Sequence, residues 1–148
     1  MWKKTVFFSL LVFGNPFLFG QQTVNTTKKG YAVDGYDVVA YFENNAQKGT
    51  KKFETTFGGI KYAFSSKKNL KKFKVAPEKY RPQYGGWCAY ALGAKNKKVD
   101  IDPETFEIRD GKLYLFYNSW GINTLKLWEK EGAESLKIKA DEHWKTHP

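Results

Sequence analysis

The sequence predicts an α+β fold, a small antiparallel sheet built from hairpins with helices packed on one side. Three observations predict it. Gly58-Gly59 separates two β-type runs, Phe53 to Phe57 and Ile60 to Phe64, as a two-residue turn with positive φ angles requires. Asp110-Gly111 repeats the signal between Phe106–Arg109 and Lys112–Tyr117. After about Ile122 the apolar period changes: Leu125 and Trp128 lie three apart, Gly132 interrupts, and Leu136, Ala140 and Trp144 follow at intervals of four, predicting two helices.

The remaining elements follow in order. Residues 1–20 read as a secretory signal: Lys3 and Lys4 precede an uncharged run from Thr5 to Phe13, Gly14-Asn15-Pro16 breaks it, and cleavage is placed after Gly20. The run is too short for a confident membrane span, and no lipobox cysteine follows it. Export to the periplasm or medium is therefore expected. Residues 21–30 read as a polar tether, and the domain occupies 31–148. Val38 to Phe42 has the β-branched and aromatic character of a short strand, with Asp34-Gly35 turning before it. Ser65 or Ser66 caps a helix carrying Leu70, Phe73 and Ala76 on its dry face and ending at Pro77, with Lys67, Lys68, Lys71, Lys72 and Lys74 largely on its wet face. Lys79 to Gly86 reads as loop, Trp87 to Leu92 as a short helix closed by Gly93, and Asp102-Pro103-Glu104 as a turn or helix start.

Of the 148 residues, 41% are hydrophobic and 18% aromatic, enough for one core of ordinary size, which excludes a disordered chain. The net charge of +10 is unevenly spread: Lys28 to Lys98 holds 16 bases against 5 acids, while Val99 to Pro148 holds 7 against 10. Only Arg81 and Arg109 break the run of lysines, whereas base-reading surfaces rely on arginine forks, so nucleic acid is not expected as a partner. An acidic envelope protein docking on the basic half is one alternative, and the oligomeric state is open. No phosphate-binding loop, dinucleotide fingerprint, HExxH or CxxC occurs, which favours a binding module over an enzyme.

Cys88, the sole cysteine, cannot form an internal disulfide. It stands between Gly85-Gly86 and Ala89, where backbone can approach a ligand and a helix N-terminus can favour the thiolate; packing as a small buried hydrophobe is the alternative. His143 and His147 are four apart and, on a continuing helix, would offer two imidazoles to a metal. Neither is placed to activate Cys88 as a protease-like nucleophile. Tyr80, Tyr84, Trp87 and Tyr90, joined by Tyr36 and Tyr41, can line a pocket for a small organic ligand or form an aromatic mini-core. Asp34 and Asp37, and Asp100 with Asp102 and Glu104, are carboxylate pairings that cap turns more readily than they bind cations.

The runs GYDVVAYF (35–42), KYAFSSKKNLKKF (61–73), PEKYRPQYGGWCAYA (77–91) and DGKLYLFYN (110–118), with the closing Ala140 to Trp144, together resemble a bacterial exported branch of the YHS-domain family. The resemblance covers about Tyr31 to Trp144. YHS domains are described mainly as metal-binding modules, so the resemblance implies a transition-metal ion such as copper or zinc as the ligand; the residues read above place it near the Gly-rich loop, with Cys88, His143 and His147 as candidate metal ligands and Trp87, Gly85, Gly86, Tyr84, Tyr80, Tyr36 and Asp37 as candidate ligand-binding residues. A small-molecule carrier or sensor using the aromatic residues is the alternative. The metal-binding version of the pattern carries a pair of cysteines around the hairpin end and the following helix. Here Ser65 and Asn69 occupy those places, and a hydroxyl and an amide do not replace thiolates for a soft metal.

Overall fold

The computed structural model describes residues 23–148; the signal reading over 1–20 lies outside them. Strand β1 (Thr50–Phe57) turns through Gly58 and Gly59 into β2 (Ile60–Phe64), and both glycines have positive φ. Ser66 caps α1 (Lys67–Val75), its hydroxyl accepting from Asn69 N at 3.1 Å. Pro77 opens a single turn, α2 (Pro77–Tyr80), and a 3-10 turn over Gln83–Gly86 leads to α3 (Ala89–Lys95). The second hairpin is β3 (Asp102–Arg109) with β4 (Lys112–Phe116), and a third, minimal one is β5 (Asn118–Ser119) with β6 (Ile122–Asn123). Two helices close the chain, α4 (Thr124–Glu131) and α5 (Ala133–Thr146). The fold is α+β, with helices packed against hairpins, and its strands form three separate two-stranded antiparallel pairs rather than one sheet.

Four local readings are corrected. Val38 to Phe42 is not a strand; Ala40–Glu43 is a 3-10 turn. Val38, Val39, Ala40 and Tyr41 are all buried, so the apolar run reported burial on every side and not the pleat of a strand. Asp102-Pro103-Glu104 begins β3, with Pro103 outside the regular ladder where the register of the pair slips between Asp102 and Phe106. The Lys79–Gly86 loop contains the end of α2 and a 3-10 turn. Gly93 does not close α3, which ends at the left-handed Asn96. Gly93 is needed for another reason: a β-carbon there would lie 2.5 Å from the carbonyl oxygen of Leu136, so the residue lets α5 cross α3 at backbone contact.

The core gathers at β4, where Leu113, Tyr114, Leu115 and Phe116 are buried on both faces. Trp128 of α4 is fully buried against Phe116 and Tyr114, its indole N–H donating to Glu107 at 3.0 Å. Phe73 of α1 packs on Tyr62 and Phe64 of β2. Thr23 to Gly30, expected as a tether, lie against the fold. Asn25 N donates to Gly85 O, its side chain donates to Gly86 O and Asp100, and Trp87 Nε1 donates to Thr23 O at 2.8 Å. The N-terminal segment thus clasps the Gly-rich loop.

Candidate functional site

Asp37 is the most heavily bonded side chain near the proposed site, and it is fully buried. Its Oδ1 accepts from the backbone N–H groups of Val39 (2.9 Å) and Ala40 (3.2 Å). Its Oδ2 accepts from Ser65 N (2.9 Å), Ser65 Oγ (2.7 Å) and Asn69 Nδ2 (2.8 Å). One carboxylate therefore ties the segment after Gly35 to the end of β2 and the first turn of α1. A carboxylate has about four lone-pair positions, so five donors leave none for a ligand.

Cys88 is also completely buried. Its sulfur accepts from Ala91 N at 3.5 Å, as the N-cap of α3, and from Tyr117 N at 3.3 Å. Thr124 Oγ1 lies 3.4 Å away and donates its own proton to Tyr117 O at 2.6 Å, so the thiol proton points at Thr124. This is the packing arrangement among the alternatives the sequence left open, with every polar valence of the thiol used inside the core.

The two histidines do not share a helix face. α5 ends at Thr146, and His147 is extended beyond it. His143 Nδ1 lies 2.7 Å from Leu92 O, while His147 Nε2 lies 2.7 Å from Asn96 Oδ1. Both rings fasten the end of α5 to the C-terminal part of α3. Among the described residues no group of three His, Cys, Asp or Glu side chains is placed to hold a metal ion, so Cys88, His143 and His147 are not gathered into the site that the sequence reading expected.

The aromatic residues are dispersed as well. Tyr41 packs on Phe106 and donates to Pro103 O. Tyr80 meets Phe42 edge-on, and Tyr90 donates to Glu131 at 3.0 Å. Tyr36 is half-buried and paired with Lys48. Trp87 faces Thr23. Tyr80 borders an open depression of about 700 Å³ beside α1, and Tyr84, with Gly85, lines a second groove.

That groove, about 940 Å³, lies between the β1–β2 turn, the segment from Glu78 to Gly85 and α5. Phe57, Ile60 and Tyr62 form one wall, and Asp141, Trp144 and Lys145 the other. Arg81 stands on its floor. Its guanidinium lies 5.5 Å from the centroid of the Phe57 ring and is bound by both carboxylate oxygens of Glu78, at 2.9 and 3.1 Å. Tyr84 has φ 56°, a left-handed conformation uncommon for a bulky side chain, and its phenol donates to Asp141 at 2.8 Å. Burial, reinforced by that hydrogen bond to Asp141, pushes the Tyr84 hydroxyl far above the usual phenol range. Burial also raises the Tyr62 hydroxyl, partly offset by neighbouring Arg81. Both phenols therefore stay neutral donors at physiological pH. Gly85 brings the loop under Trp144, where a β-carbon would sit 3.2 Å from the indole.

The groove is thus aromatic-walled and carries a partly exposed arginine, two carboxylates and a lysine at its rim. Sequence reasoning did not select Arg81, Phe57, Tyr62, Asp141, Trp144 or Lys145. The one available signal was that Arg81 is one of two arginines among 25 basic residues.

The first hairpin, the lysine-rich helix and the turn carrying Arg81 share one hydrophobic core with the second hairpin and the closing helices. Residues 39–84 match the family model of the YHS domain, in agreement with the resemblance read from the sequence. The family is associated with metal binding. No curated protein and no solved structure matches the chain. Among the described residues the candidate donors do not fit a transition metal: Asp37 is saturated, Cys88 is enclosed with its proton engaged, and each histidine has its own partner.

Proposed function

We propose that the chain is an exported binding module whose ligand is a small organic molecule seated in the groove over Arg81. The observation that carries this reading is the groove itself. Its volume falls in the range of small-molecule sites, roughly 300–1,000 Å³, and its lining combines aromatic walls with a few charged groups of fixed orientation. Aromatic faces supply apolar contact, and Arg81, whose guanidinium is already stacked and oriented, supplies planar recognition of a carboxylate or similar anion at little cost in side-chain freedom. Nine of the groove-lining residues, from Phe57 to Tyr84, fall inside the YHS match. Export rests on the Lys3-Lys4 and apolar pattern at the N-terminus.

The test uses 8-anilinonaphthalene-1-sulfonate, an aryl sulfonate with the shape and charge such a groove accepts. Its fluorescence should rise saturably at one site, and Arg81→Gln should weaken binding about tenfold, equivalent to about 1.4 kcal/mol. Equal affinity in Arg81→Gln and wild type would remove the groove reading. The rival, a transition metal held at Cys88, is favoured by the family's association with metals and opposed by the enclosure of the sulfur. It predicts a stoichiometric ion that disappears in Cys88→Ala.

A further inference from the structure

We infer that in this chain the Asp37 carboxylate performs the cross-linking that a bound metal would otherwise supply, so that the fold closes without any ion. Two pieces of chain about thirty residues apart meet at one fully buried side chain: Asp37's own turn through Val39 and Ala40, and the junction of the first hairpin with α1, from Ser65 to Asn69. This is the connectivity of a metal centre, a single node drawing donors from distant segments, but with the polarity inverted. The centre is an anion that accepts, and the surrounding groups are N–H and O–H donors.

The chemistry of the donor set makes the two arrangements mutually exclusive. Ser65 turns its hydroxyl proton, and Asn69 its amide NH2, toward Asp37 Oδ2, so the node is surrounded by hydrogens where a cation would need lone pairs. A buried carboxylate without a paired cation is costly unless its hydrogen bonds are complete. Here they are complete, and no buried side-chain nitrogen or oxygen among the described residues lacks a partner. The strand-like run Val38 to Tyr41 is held as a buried turn by this node instead of by a neighbouring strand, so the local fold depends on it. The inference is independent of what occupies the groove over Arg81.

The test is differential scanning calorimetry of the chain, before and after treatment with EDTA and 1,10-phenanthroline, and again after adding Zn(II) or Cu(I). The expected result is one thermal midpoint under all conditions, with Asn69→Ala and Ser65→Ala each lowering it by about 4 °C or more, with or without metal. Asp37→Ala should lose the cooperative transition altogether, and the two milder variants keep the inference testable if that protein does not fold. A midpoint that falls on chelation and recovers with metal would overturn it, as would wild-type stability in both Asn69→Ala and Ser65→Ala.

Discussion

Cys88 and Arg81 show how differently a residue can rank by sequence and by surroundings. A lone cysteine beside paired glycines invites a reactive or ligating role, yet all three of its polar neighbours are satisfied inside the core. We expect Cys88 to resist 5,5′-dithiobis(2-nitrobenzoic acid) in the native protein and to react at once in guanidinium; rapid native labelling would contradict the burial. Tyrosines give the pH dependence. Tyr114 is pushed up to about 12, and Tyr41 and Tyr84 further, in each case chiefly by burial. Once the pH passes the ordinary phenol value near 10, the unfolded chain loses these protons while the native state keeps them. Stability is then fully present below pH 10 and falls as pH rises, by about 1.4 kcal/mol per pH unit for each such tyrosine up to its native value. Urea midpoints measured from pH 9 to 12 should decline from about pH 10 onward; a flat profile would mean that these phenols ionise equally in both states. Asp37 was read in the sequence as a turn cap, and it does accept from Val39 and Ala40, but its second set of bonds was not legible, because they come from Ser65 and Asn69, 28 and 32 positions away.

Elements governed by local chemistry were legible. The Gly58-Gly59 and Asp110-Gly111 turns need positive φ at adjacent positions and have it, and Ser66 caps α1 as a side-chain acceptor should. Where the deciding partner is remote, the reading failed. Val38 to Tyr41 carries strand-like residues but takes its backbone hydrogen bonds from Asp37 Oδ1 and local turns, and nothing within the run reveals that. Gly93 resembles a helix terminator, whereas its purpose lies in the crossing of α3 by α5, more than forty residues on. Gly93→Ala should therefore destabilise by about 1–3 kcal/mol, the cost of overpacking against backbone that cannot rotate away, and not gain the helix propensity an alanine normally brings. A urea midpoint at or above wild type would show that the two helices separate without penalty.

At the scale of the molecule, the fold class followed from hairpin and helix periodicity, but the groove did not, because its walls come from the first hairpin, the Arg81 turn and the last helix, brought together only by packing. The charge asymmetry is partly structural: Lys67, Lys68, Lys71 and Lys79 line a shallow surface depression beside the exposed Val75. Changing Lys67, Lys68 and Lys71 to Glu should leave groove binding nearly unchanged at 0.15 M salt, since none of the three lines the groove and salt screens exposed charges over about 8 Å; a strong loss would tie that face to the ligand. The most direct test of the account is native mass spectrometry with elemental analysis of the untagged protein. The account predicts a metal-free chain carrying an organic adduct that is lost in Arg81→Gln and kept in Cys88→Ala. A stoichiometric transition metal that disappears with Cys88 would contradict it.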